Sequence, residues 1–186
     1  MANGKVLTGF SLPWVALYSE SGGTVTYSGG IPLARGVSVS LSVEAADDNN
    51  FYADNGLAET ENGVFQSGSV TLTVDGLKDA ARKMLSGVTN TQTAGQVTFD
   101  VYDDDAAIPY VGVGFVCRYM ENGVTTYTPV VLPKVQFNPE GIEAATQEEN
   151  IDWQTTNLEG SVMRDDTEKA RMEADRRGSE HRDGGL

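Results

Sequence analysis

Alternation of apolar and polar residues dominates the chain. Val37, Val39, Leu41 and Val43 fall on one side of an extended segment and Ser38, Ser40, Ser42 and Glu44 on the other, the period-two pattern of a half-buried strand. Val70, Leu72 and Val74 alternate with Ser69, Thr71 and Thr73 in the same way. Residues 14–19 and 24–27 flank Ser21-Gly22-Gly23 and predict a hairpin. Residues 111–121 and 124–132 flank Asn122-Gly123, a dipeptide suited to a tight two-residue turn. That turn places Glu121 opposite Val124 and Tyr119 opposite Thr126. Residues 97–102, 134–137 and 151–163 offer further strand segments, and Asn55-Gly56 and Asn62-Gly63 predict a short meander across residues 51–66.

One segment changes period. Leu77, Ala80, Ala81, Met84 and Leu85 recur at helical spacing, with Asp75 placed to cap the start. Arg82 and Lys83 sit where the helix dipole favours cations, and Gly87 is placed to end the helix in a left-handed conformation. The stripe is narrow and spans about three turns, so this helix must pack on a sheet. Residues 89–95 read as a polar linker, and no fixed-period repeat occurs. The fold class expected is mainly β (α+β), an antiparallel β-sandwich or barrel with one short packed α-helix. Residues 1–163 form the domain; residues 164–186, almost wholly charged, form an arm, either disordered or a solvated helix with Glu173 and Arg177 as an i, i+4 pair.

Charge narrows the functions open to such a domain. The 186 residues hold 27 acids and 13 bases, and residues 1–163 carry 20 acids against 7 scattered bases. A surface like this repels a phosphate backbone, whereas specific DNA binders neutralise roughly 6–10 phosphates. Cys117 is the single cysteine and lies on an apolar strand, so it reads as a buried inert thiol. The N-terminus lacks the basic and apolar regions of a signal peptide, and no apolar run approaches the ~20 residues of a membrane span.

Candidate chemistry is sparse. Asp103-Asp104-Asp105 are consecutive and point in different directions, unlike the alternating carboxylates of a calcium loop. Asp47-Asp48 read as a charged loop tip. His181, the one histidine, sits in the charged arm, which leaves no base to build a nucleophilic triad in the body. Gly112-Val113-Gly114 follows no strand-to-helix transition and reads as close sheet packing or a bulge rather than a phosphate loop. Neither an enzyme, a metal site nor a cofactor site is expected. Trp14 and Trp153, far apart in sequence, read as buried anchors.

Several short segments occur in a telling order. These are Val39-Ser40-Leu41-Ser42, the acidic loop 46–50, Phe51-Tyr52-Ala53-Asp54-Asn55, the strand-to-helix stretch 68–85, and Thr146…Glu148-Glu149…Ile151…Gln154…Leu158-Glu159-Gly160. Over residues 14–163 the chain resembles the major tail tube proteins (major tail proteins) of bacteriophages with long non-contractile tails. The resemblance implies a virion protein, made in the bacterial host cytoplasm, that closes into stacked hexameric rings. It implies contacts with its own copies and with the tape measure, tail terminator and distal tail proteins, while DNA passes through an acidic lumen without specific binding. Residues 44–55, with Glu44, Asp47, Asp48, Asn49, Phe51, Tyr52, Asp54 and Asn55, are the inter-subunit or inter-ring contact it implies, together with the N- and C-terminal arms. Within that loop, residues 51–55 are expected to anchor it to the sheet. The charged arm departs from the family, whose domain finishes soon after its last strand. The alternative is a monomeric β-sandwich binding module of adhesin or carbohydrate-binding type.

Overall fold

The computed structural model describes residues 4–61, 65–101, 106–139, 141, 154–167 and 174–175. Among the described residues, twelve strands and one helix follow in chain order: β1 (Val6–Ser21), β2 (Thr24–Pro32), β3 (Gly36–Ala45), β4 (Asn49–Ala53), β5 (Gly56–Glu61), β6 (Phe65–Val74), α1 (Asp79–Ser86), β7 (Asn90–Ala94), β8 (Val97–Val101), β9 (Val111–Glu121), β10 (Val124–Phe137), β11 (Thr156–Met163) and β12 (Ala174–Asp175). The main sheet runs β2-β1-β9-β10-β11-β6-β3, every neighbour antiparallel, with β12 paired to β10. The fold is therefore mainly β, a large antiparallel sheet of sandwich-like form with one short helix.

The apolar stripes read from the sequence meet inside this curled sheet. Val70, Leu72 and Val74 of β6, Val111, Val113 and Phe115 of β9, Leu132 and Val135 of β10 and Leu158 of β11 form one buried cluster. Ala81 and Leu85 of α1 close it on one side. β1 and β3 are distant in the strand order, yet the ring of Phe10 packs directly over Gly36, where any side chain would collide with it. The β9–β10 turn has the expected register, Glu121 opposite Val124 and Tyr119 opposite Thr126, with Asn122 at φ 50° and Gly123 at φ 80°. Cys117 is buried as expected.

Other expectations need correction. On β3, Val39 and Leu41 pack on the core, but Val37 and Val43 are exposed. A register shift between Gly36 and Ser38 accompanies the turning of Val37 out of the stripe. Asp75 does not cap the helix. Its carboxylate takes the backbone N–H of Arg35 at 2.9 Å and the Arg35 guanidinium, and α1 begins later, at Asp79, with Lys78 at the N-cap and no side-chain capping bond. The helix end is as expected, with Gly87 at φ 67°. The stretch read as a linker is strand β7, paired with β8 through Asn90 opposite Val101 and Thr93 opposite Thr98. Residues 124–132 and 134–137 form one strand, because Pro133 falls at a register shift between Leu132 and Val135, where the ladder needs no N–H.

Candidate functional site

The residues expected to make contacts with other copies run from the end of β3 through a short loop into the β4–β5 hairpin. Glu44 stands near the end of β3, where its carboxylate accepts a 3.1 Å hydrogen bond from Ser67 Oγ. Asp47 and Asp48 follow in a short exposed loop, and Asn49 opens β4, opposite Glu61. Thr60 Oγ1 donates to Asn50 Oδ1 at 2.8 Å and ties the two strands together. Asp54 and Asn55 occupy the turn at φ 50° and 63°, so Ala53 faces Gly56. The turn is thus Asp54-Asn55 and not Asn55-Gly56; short polar side chains tolerate the left-handed region and allow the shift. The Asn62-Gly63 turn, Asp103, Asp104, Asp105, residues 142–153 and His181 lie outside the described residues.

The hairpin does not bind its aromatic residues to the body. β4 and β5 form their own two-stranded sheet, and Phe51, Tyr52 and Leu57 are 60%, 65% and 58% exposed. This overturns the anchoring role expected of residues 51–55. Strand alternation separates the two rings: Tyr52 sits opposite Leu57, and Phe51 opposite Glu59. Isolated two-stranded hairpins are marginal in water, so such a ribbon gains from a surface to lie on. Its carboxylates do not converge. Among the described residues no group of three His, Cys, Asp or Glu side chains is arranged to hold a metal ion.

A second feature was missed in the sequence. Trp14, read as buried, is 47% exposed. On the outer face of the sheet it sits opposite Gly114 of β9, and Gly114 sits opposite Val131 of β10. The two side chains flank open space, since nothing but the Val130 carbonyl oxygen, at 4.0 Å, would meet a Cβ on Gly114. One row away the Tyr27 ring lies over Gly112, only 2.5 Å from where a Cβ would be, and Tyr27 Oη donates to the Pro133 carbonyl at 2.9 Å. The result is a shallow apolar trough of about 180 Å³. Of the two glycines expected to allow close packing, Gly112 does so and Gly114 leaves a gap.

The face of β3, β6 and β11 has a different character. Its rows set Ser40, Thr71 and Glu159 side by side, then Ser42, Ser69 and Ser161. An open cleft of about 490 Å³ runs along Ser67, Ser69 and Ser161 to Glu44 and Arg164. Arg164 is held there by a 2.7 Å hydrogen bond to the Phe65 carbonyl and by the Phe65 ring. In the stretch quoted for the family resemblance, Leu158 is buried, and a Cβ on Gly160 would stand 2.9 Å from Phe137 Cδ1, so the Leu-x-Gly pattern serves close strand packing.

Beyond β11 the chain stays on the body. Asp165 is buried, and Asp166 accepts hydrogen bonds from Tyr18 Oη and Lys134 Nζ, both at 2.7 Å. Burial, then the bond to Asp166, push the Tyr18 phenol up to about 12. The Lys134 ammonium, then the Tyr18 hydroxyl, hold Asp166 below the usual carboxylate range. Contacts with the body thus continue past residue 163, through Thr167 and again at β12, which pairs with β10. No helix among the described residues is long and apolar enough to cross a membrane. No family model matches the chain, and no curated protein sequence matches it.

Proposed function

We propose that this chain is a structural subunit that assembles with its own copies into stacked rings, a tail tube through which DNA passes. The observation that carries the reading is the β4–β5 hairpin, a two-stranded ribbon separate from the main sheet that leaves Tyr52 and Leu57 exposed to solvent. Exposed apolar surface of this kind marks a contact site, and it coincides with the residues that the family resemblance assigns to contacts between copies. Sheet edges add to the potential for self-association, since β2 and β3 end the strand order. The Ser/Thr face with Glu44 and Glu159 supports the conduit part of the reading, because hydroxyls and carboxylates supply no cation to displace the counterions of a phosphate backbone.

The test is direct. Sedimentation velocity over a range of concentrations, followed by negative-stain microscopy, is expected to show concentration-dependent association into rings or tubes. Monomers at every concentration, with tail-assembly partners present as well, would remove the reading. The alternative, a monomeric binding module, is favoured by one observation, the half-exposed Trp14 beside Tyr27, an aromatic surface of the kind that stacks on a sugar ring. A glycan array with the purified chain separates the two.

A further inference from the structure

Two surfaces of this chain fit each other. The trough over Gly114 has apolar walls, Trp14 and Val131, and Tyr27 closes one end over Gly112. Its volume of about 180 Å³ is on the scale of a single aromatic ring, since a dry protein cavity of about 150 Å³ accommodates benzene. The hairpin carries a knob of matching kind: Tyr52 and Leu57 face each other across β4 and β5, next to the tip.

Charge agrees with the shape. Asp54 lies in the turn next to the knob, and Asp47 and Asp48 lie at the hairpin base. On β9, Arg118 shares the outer face with Gly114 four residues away, about 14 Å along the strand. It is exposed, and no carboxylate among the described residues pairs with it. An exposed cation on the same sheet face as an apolar trough, on a chain of net charge −14, suits an acidic apolar ligand. The hairpin has that chemistry.

We propose that the β4–β5 hairpin of one copy docks on the β1–β9–β10 face of a second copy, with the Tyr52 ring over Gly114 between Trp14 and Val131. This rests on the self-assembly reading and adds the receiving surface. Knob and trough are different surfaces, so the contact is head-to-tail: each copy gives a hairpin to one neighbour and receives one from another. Contacts of this type close into a ring or propagate as a filament.

The test uses full-length protein and a mixing experiment. Tyr52→Ser with Leu57→Ser removes the knob and keeps the trough. Gly114→Leu fills the trough and keeps the knob, at a position where a Cβ meets no close atom. Phe51→Ser alters the opposite face of the hairpin and serves as control. Sedimentation velocity is expected to show each surface variant alone as a monomer, with association weakened more than about thirtyfold, the loss typical of a hot-spot residue. Mixing the two is expected to give a one-to-one dimer that grows no further, because one competent knob meets one competent trough. Phe51→Ser is expected to associate as the wild type does. Thermal unfolding of each variant checks that it is folded; a Gly114→Leu chain that does not unfold cooperatively is replaced by Val131→Lys. Association of either surface variant at wild-type strength, or a mixture that stays monomeric while the wild type associates, overturns the docking and leaves self-assembly standing. A wild type that never associates overturns both.

Discussion

The phenol of Tyr18 and the carboxylate of Asp166, 148 positions apart in sequence, are joined by a 2.7 Å hydrogen bond, and the Asp166 backbone N–H returns a bond of 3.0 Å to the same oxygen. Lys134 completes the clasp, its ammonium bonded to Asp166 and set over the rings of Tyr18 and Tyr110. The start of the charged arm is thereby fastened to β1 and β10. A chain ending at Met163 is expected to unfold at lower denaturant than the full-length protein. Equal midpoints would return the boundary to residue 163.

The clasp has a working pH range. Tyr18 has its folded pKa raised to about 12, against about 10 unfolded, so its contribution is complete below pH about 10 and is lost as pH rises towards about 12. Asp166 is shifted the other way. Its contribution is present above the ordinary carboxylate value of about 3.9 and is lost as pH falls through its lower folded value. Tyr18→Phe is expected to cost about 1 kcal/mol at neutral pH, and the gap from wild type should close between pH 10 and 12. Denaturant titrations at fixed pH values check this; a gap that stays constant through that window would show that the phenol proton plays no part.

Two left-handed glycines are expected to respond differently to alanine. At Gly87 a methyl group would run into the Ala107 carbonyl, whereas at Gly123 it meets open space. Gly123→Ala carries only the backbone penalty, about 1–2 kcal/mol, and Gly87→Ala adds overpacking, for roughly 2–5 kcal/mol in all. Equal losses in urea melts would contradict the contact with Ala107.

The exposed end of β3 makes a second contrast. Leu72 is fully buried, and Leu72→Ala is expected to destabilise by about 2–5 kcal/mol. Val43, 49% exposed, is expected to tolerate serine within about 0.5 kcal/mol. A large effect at Val43 would mean that a partner covers it under the conditions of measurement.

For the proposed conduit, Glu159→Lys is expected to leave assembly intact and to raise DNA retention, in a manner that weakens steeply with salt. Retention unchanged in tubes of this variant would separate lumen chemistry from the Ser/Thr face.

What was legible in the sequence follows from how local each signal is. Asn122-Gly123 set the β9–β10 register because the turn itself dictates which residues face each other. The Val70, Leu72 and Val74 stripe placed β6 because all three side chains point into one core. Asp75 misled because a good cap can also be the partner of a distant residue, and Arg35, 40 positions away, decided the matter. β7 was invisible because Thr91, Gln92 and Thr93 pair through backbone and hydroxyl groups with no apolar alternation to mark them. At the candidate site the hairpin residues were legible, but the trough was not. It depends on Tyr27 filling the space over Gly112 and leaving Gly114 bare, a relation among strands that no single segment carries.

Cys117, buried in the sheet, makes the molecule its own stopwatch. A thiol reagent reaches that sulfur only when the core around Phe115 and Phe137 parts, so the labelling rate reports how often the domain opens. Assembly contacts that hold the sheet closed would slow the reaction, and the interval before the sulfur is modified would then time the residence of one copy among its neighbours.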